Sequence, residues 1–98
     1  DITKIEGLNG LYELRELILN KNKIKTINEN SFIDQAKSLI ELHIEENRLK
    51  DLTNIDTLKY LQKLFLANNK IADYSDIEMC SELINLNELS LINNPVIR

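Results

Sequence analysis

The residues whose types could do chemistry are concentrated in one short stretch, ELHIEE at positions 41–46. Glu41, His43 and Glu45 alternate along it, so on a strand their side chains point to the same side. An imidazole between two carboxylates could bind a metal ion or act as an acid/base cluster. Zinc usually requires another histidine or cysteine, and the single Cys80 is expected on the opposite side of the molecule. The pattern therefore favours an acidic patch with a solvated histidine.

Patterns typical of catalysis do not occur elsewhere in the sequence. The chain has no G-x-S-x-G, no glycine-rich phosphate loop and no Cys-x-x-Cys. Cys80, in IEMCSEL, lies on the apolar side of a predicted helix with no histidine nearby in sequence, as a packing residue would. We expect no enzymatic activity, no cofactor and no small-molecule substrate.

Composition narrows the class of partner. The chain is 43% hydrophobic and 29% charged, with a net charge of −4 and a pI of about 5.0, which disfavours nucleic-acid binding. No apolar run approaches the roughly 20 residues of a membrane span. One cysteine cannot form an internal disulfide, and no asparagine begins a glycosylation sequon. We expect an intracellular protein, in the cytoplasm, the nucleus or a cilium.

An internal repeat must position the residues of the ELHIEE stretch. Four segments match L-x-x-L-x-L/I-x-x-N-x-apolar: LRELILNKNKI (14–24), LIELHIEENRL (39–49), LQKLFLANNKI (61–71) and LNELSLINNPV (86–96). Their asparagines, Asn22, Asn47, Asn69 and Asn94, are 25, 22 and 25 residues apart. A repeat of this length indicates stacked coils that share one core.

The spacing within each repeat has a physical explanation. Two apolar residues in L-x-L lie on one side of a strand and enter the core, while the x residues face solvent. An asparagine amide offers both donors and acceptors, so inside the bend it can bond the main chain of its own coil and of the next. We predict a stacked ladder of Asn22, Asn47, Asn69 and Asn94.

These segments resemble the leucine-rich repeat, and specifically its short 22-residue intracellular subclass. Members of that subclass include a nuclear regulatory subunit of protein phosphatase 1, a spliceosomal A-prime protein and an axonemal dynein light chain. The resemblance implies a right-handed α/β solenoid with a parallel sheet on the concave face and short α-helical or 3₁₀ turns on the convex face. It also implies a protein that binds other proteins.

The lengths of the coils predict their convex segments. Both 25-residue coils contain a helix-start signature, Ser31-x-x-Asp34 and Ser75-x-x-Glu78, which predicts α-helices near 31–38 and 76–84. The 22-residue coil should have only a 3₁₀ turn within 50–60. The coils should therefore alternate in thickness.

The outward positions of the strands form the candidate binding face. Ile18, Phe65 and Ile92 are apolar residues at positions that the repeat predicts to be exposed, and carboxylates surround them, which is typical of an interaction surface. We expect a protein partner that presents a basic, partly apolar helix or loop. The predicted partner-binding residues are Glu16, Ile18, Glu41, His43, Glu45, Glu46, Lys63, Phe65, Glu88, Ser90 and Ile92.

Three alternatives to general protein recognition stay open at this point. The resemblance allows a regulatory module for a protein phosphatase, for which Glu41, Glu45, Glu46 and Phe65 are the nearest matches in residue type. It also allows a structural scaffold in a ciliary or axonemal assembly. An enzyme or metal protein centred on His43 is the third.

The ends of the sequence suggest a part of a longer repeat array. Residues 1–98 contain about four and a half repeats, and Ile2 lies 22 residues before Ile24, as if the chain began within a coil. In the family that the chain resembles, Asn-Pro-Val often precedes a capping segment, and Asn94, Pro95 and Val96 match only its start. We expect a leucine-rich-repeat fragment that lacks at least one cap.

Overall fold

Four short parallel strands form one sheet in the computed structural model, which describes residues 1–97. The strands are β1 (Glu16–Ile18), β2 (Glu41–His43), β3 (Lys63–Phe65) and β4 (Glu88–Ser90), in the spatial order β1-β2-β3-β4. Each strand pairs with the next at the same point of the repeat, so that Leu17, Leu42, Leu64 and Leu89 are aligned. This arrangement is the predicted solenoid, in which equivalent residues of successive coils stack in rows.

The inward leucines and isoleucines form one core that runs through the stack. Leu42, Leu64 and their neighbours Ile44 and Leu66 are completely buried. Leu89 is 38% exposed, because β4 has a neighbouring strand on one side only. The apolar residues that follow each bend, such as Ile24, Leu49 and Ile71, are also completely buried. Burial is therefore deepest in the two middle coils.

The convex segments differ in part from their prediction. The segment at 50–60 contains the expected 3₁₀ helix, Ile55–Thr57. An α-helix near 31–38 was the wrong prediction, since the structure has only a 3₁₀ helix at Ile33–Gln35. The hydroxyl of Ser31 does not cap it, because that oxygen accepts a hydrogen bond from the Asn28 amide, 3.0 Å away. Two of the three connections therefore contain only a 3₁₀ helix, and α-helical and 3₁₀ segments do not alternate as predicted.

The last connection contains an α-helix that begins earlier than predicted. Helix α1 spans Tyr74–Cys80, whereas the helix-start signature placed it at 76–84. Asp73 is the N-cap, and its carboxylate accepts a hydrogen bond from the Ser75 amide at 3.4 Å. Aspartate and serine are both favourable N-caps, so the sequence signature placed the start two residues late.

The bend after each strand uses a left-handed residue immediately before the corner asparagine. Lys21, Glu46, Asn68 and Asn93 all have φ between 54° and 62°. Asparagine tolerates this conformation better than most residues, which explains the Asn-Asn pairs of the last two coils. Lys21 and Glu46 adopt it at a cost in backbone strain.

Main-chain hydrogen bonds beyond the strands also connect the coils. The residue after the corner asparagine donates to the preceding coil in three cases, for example from Arg48 to the carbonyl oxygen of Ile24 at 2.9 Å. In the last coil that position is Pro95, which carries no N–H, and Val96 donates to Ile71 instead at 2.9 Å.

Across residues 1–97, no helix has the length and apolarity that crossing a membrane would require.

Candidate functional site

The corner asparagines connect each coil to the preceding one through their side-chain oxygens. Oδ1 of Asn47 accepts the amide of Ile24 at 3.0 Å, and Oδ1 of Asn69 accepts the amide of Leu49 at 3.0 Å. Asn94 accepts from Ile71 at 3.1 Å, and Asn22 accepts from Ile2 at 2.9 Å. The same atom therefore satisfies the same backbone donor in all four coils.

The amide nitrogens of three of these asparagines bond a carbonyl of the preceding coil and one of their own coil. Nδ2 of Asn69 donates to the carbonyl of Ile44 in the preceding coil at 2.7 Å and to Leu66 in its own coil at 3.0 Å. Asn47 and Asn94 repeat this arrangement. Asn22 donates only within its own coil and is partly exposed. The ladder is thus complete at three of the four corners.

A second set of polar bridges on the convex side was not predicted. Nε2 of Gln35 donates to the carbonyls of Leu8 and Leu11 at 2.8 and 3.0 Å. The carboxylate of Asp76 accepts the amide of Leu52 at 3.0 Å. Both side chains are buried, and they lie within the two segments that were predicted as α-helices on their capping signature alone. A polar residue at an inward position of each segment was the signal that could have identified them.

The outward side chains of the four strands form two rows across the concave face. The pairing of the strands places Glu16, Glu41, Lys63 and Glu88 in one row. It places Ile18, His43, Phe65 and Ser90 in the other. Since the inward leucines alternate with these positions, both rows lie on the same side of the sheet.

Three carboxylates surround the imidazole of His43. Nε2 lies 2.6 Å from an oxygen of Glu41 and 3.8 Å from one of Glu16, while Nδ1 lies 3.9 Å from Oε1 of Glu45. β2 ends at His43, so Glu45 lies beyond the strand that was predicted to include it. It is held by Asn20, whose Oδ1 accepts the Glu45 amide at 2.7 Å and whose Nδ2 donates to the carboxylate at 3.3 Å.

The hydrogen bond with His43 lowers the pKa of Glu41 below its usual value of 4.5. Partial burial acts in the opposite direction, and the charges of His43 and Lys63 lower the pKa further. Glu41 is therefore ionised at neutral pH and accepts a hydrogen bond from the ring. Oxygens of Glu16 and Glu41 and a nitrogen of His43 lie within 4.8 Å of one another, a spacing that can also hold a cation. Exposed acidic groups commonly cluster in this way without one.

Aromatic and apolar side chains lie next to the carboxylates. The rings of His43 and Phe65 stack, with centroids 4.6 Å apart and planes inclined by 25°. Ile18 and Ile92 are 58% and 63% exposed, whereas Phe65 is half-buried. The concave face thus presents apolar surface bordered by negative charge.

Cys80 lies away from this face, at the end of α1. Its side chain is 6% exposed and packs in the core. Burial, and then the charge of Asp76, raise the pKa of the thiol to about 11. A thiol in this state is a poor nucleophile at neutral pH.

The stacked strands, the corner asparagines and the short convex segments together define a leucine-rich-repeat α/β solenoid. A protein-family model described as leucine-rich repeats (two copies) matches residues 37–79. The matched segment includes β2, β3, Asn47 and Asn69. The match supports a leucine-rich-repeat family for the chain, and such repeats are generally protein–protein interaction modules without enzymatic activity.

Proposed function

We propose that this protein binds a partner protein through its concave face. The observation that carries the proposal is that exposed apolar residues and an aromatic stack share one sheet face with a group of carboxylates. Ile18 and Ile92 expose more than half of their surface there. Exposed apolar side chains bordered by polar groups are typical of protein interfaces, in which aromatic side chains often contribute most of the affinity.

The charges of the concave face support a basic partner. Lys63 lies between Glu41 and Glu88 in its row of the sheet, and Glu16 and Glu45 add two more carboxylates near His43. Within residues 1–97, none of these carboxylates has a lysine or arginine nitrogen within 4.0 Å. A basic helix or loop with some apolar side chains would therefore complement the face in both charge and hydrophobicity.

A selection from a random dodecapeptide phage library tests this proposal. Peptides selected on the wild-type protein should be basic and partly apolar, and should lose binding to the Ile18→Ala/Phe65→Ala double variant. The matched control is Ile33→Ala/Ile84→Ala, which removes apolar side chains that are exposed elsewhere. Equal binding to both variants, or no selected peptide sensitive to the concave-face variant, would refute the proposal.

The contribution of the acidic patch can be measured separately. Reversing the charge of Glu41, Glu45 and Glu46 should weaken capture of the selected peptides, and the loss should shrink as salt screens the attraction. Reversing Glu29, Glu78 and Glu82, which lie outside the concave face, is the control. Unchanged capture by the concave-face variant would exclude the patch from binding.

Two narrower functions rest on the spacing of the repeats and their resemblance to the 22-residue intracellular subclass. One is a regulatory module for a protein phosphatase, in which Glu41, Glu45, Glu46 and Phe65 would contact the enzyme. The other is a scaffold repeat within a ciliary assembly. Phosphatase activity measured with and without the purified protein separates them, because only the first should change the rate. Both functions fit the intracellular location that the buried single cysteine and the missing sequons support.

A further inference from the structure

The stack of His43 and Phe65 has a defined direction on the concave face. The ring centroids are 4.6 Å apart, which is close to the spacing of about 4.8 Å between neighbouring strands. The rings therefore lie face to face along the row Ile18, His43, Phe65, Ser90, and each covers one face of the other. Because β2 and β4 lie on opposite sides of β3, a stack along the row turns the second face of Phe65 away from His43 and towards β4.

Position 90 leaves that face of Phe65 uncovered. Ser90 pairs with Phe65 in the sheet, and its side chain is too small to cover a phenyl ring. On the other side of the stack, the larger Ile18 lies beside His43. The small side chain beside the ring therefore predicts a slot above Ser90, with the phenyl ring as its wall.

The two ends of this slot differ in chemistry. Glu88 lies two residues before Ser90 on the same face of β4, and Ile92 lies two residues after it, beyond the end of the strand. The carboxylate of Glu88 is exposed, and no lysine or arginine of residues 1–97 lies within 4.0 Å of it. The slot thus combines an aromatic wall, a carboxylate at one end and an apolar side chain at the other.

We propose that this slot receives an arginine side chain of the partner, an inference that rests on the binding function proposed above. The guanidinium stacks on the open face of Phe65 and donates hydrogen bonds to Glu88, while the methylene groups of the arginine contact Ile92. A planar guanidinium can stack and pair with a carboxylate at the same time, whereas the compact, strongly hydrated ammonium of lysine cannot do both.

The direct test is an NMR titration of the isotope-labelled protein with Nα-acetyl-arginine amide. Nα-acetyl-lysine amide has the charge without the planar group, and Nα-acetyl-citrulline amide has the planar shape without the charge. The arginine probe should shift the amides of Phe65 and Ser90, with a dissociation constant about two- to fivefold lower than that of the lysine probe. The citrulline probe should shift neither amide. Equal affinity for the three probes, or shifts only elsewhere, would overturn the inference.

Three variants identify the slot, and all change partly or fully exposed side chains. Ser90→Leu fills the slot and should abolish the shifts. Phe65→Leu keeps an apolar side chain but removes the ring, and should weaken the arginine probe about two- to fivefold. Glu88→Gln should also weaken it, while the matched convex-side control Glu82→Gln should not. Unchanged binding to Phe65→Leu in a protein with native spectral dispersion would contradict the proposal.

The peptides selected from the phage library separate this inference from the general binding function. Replacing arginine by lysine in those peptides should weaken binding to the wild-type protein but not to Phe65→Leu. Peptides that bind the concave face with equal affinity after this replacement would overturn the arginine slot and leave the binding function intact. A library that yields no peptide for this face would overturn both.

Discussion

Replacing Asn69 by alanine would show how much the corner amides contribute to stability. The Asn69 side chain is 5% exposed, and its oxygen is the only acceptor for the amide of Leu49 in the part of the chain that the structure describes. Its nitrogen is the only donor to the carbonyl of Ile44 within residues 1–97. Its two other acceptors keep a hydrogen bond, the carbonyl of Leu66 from Asn94 and that of Ala67 from the amide of Glu46. The substitution therefore leaves two buried backbone groups without partners.

The magnitude follows from these two groups. An unpaired buried donor or acceptor costs about 1–3 kcal/mol, so Asn69→Ala should lower the free energy of unfolding by about 3 kcal/mol. Asn22→Ala should cost about 1 kcal/mol, because that side chain is partly exposed and does not donate to a preceding coil. Asn87→Ala removes an exposed side chain that has no hydrogen bond to any residue of 1–97, and should change stability by less than about 0.5 kcal/mol.

Urea denaturation followed by circular dichroism measures these differences. The expected order of the loss is Asn69→Ala, then Asn22→Ala, then Asn87→Ala. Hydrogen exchange gives a local test, since the amide of Leu49 should lose more protection in Asn69→Ala than amides of the last coil. If Asn69→Ala were no less stable than Asn87→Ala, the reasoning that the corner amides hold the coils together would be refuted.

Three further predictions concern ionisation and backbone strain. His43→Gln should raise the pKa of Glu41 towards 4.5, as measured by carboxyl NMR, and an unchanged titration would exclude the pairing. In the wild-type protein the lowered pKa of Glu41 stabilises the fold above pH 4.5, and this contribution is lost as the pH falls. Cys80, with a pKa of about 11, should react slowly with a disulfide reagent at pH 8, a pH close to the ordinary thiol pKa of about 8.5, and should react faster in urea. Rapid reaction of the native protein would contradict the burial of Cys80. Glu46→Asn should stabilise the protein by up to about 1 kcal/mol by relieving left-handed strain, and Arg48→Asn, at an exposed position of ordinary φ, should not.

The repeat could be predicted because it depends on spacing alone. The alternation of L-x-L determines which side chains enter the core, and the asparagine at a constant offset determines where each bend lies. Leu42 and Leu64, predicted from two different segments, are aligned and completely buried. Sequence alone did not predict the left-handed residue before each asparagine, although the Asn-Asn pairs and the scarcity of glycine were its signal.

The convex segments were predicted less well because short polar side chains have several possible partners. Ser31 has the spacing of a helix cap, but its hydroxyl accepts from Asn28 and no α-helix follows. Gln35 was not predicted to bridge coils, yet its amide connects two of them through the carbonyls of Leu8 and Leu11. Sequence spacing shows which groups can bond, while the packing of the coils decides which bond forms.

The concave face could be predicted as a set of positions but not as a site. The stack of His43 on Phe65 joins residues 22 positions apart in the chain, and only the pairing of β2 with β3 brings them together. The four inward strand positions are all leucine, because each must fill the same space between coils. The adjacent outward positions hold isoleucine, histidine, phenylalanine and serine, which the fold does not require. The packing of the core does not constrain these side chains, so a small residue such as Ser90 beside a ring can create a slot without disturbing the packing of the solenoid. The choice of partner can therefore change while the fold stays the same.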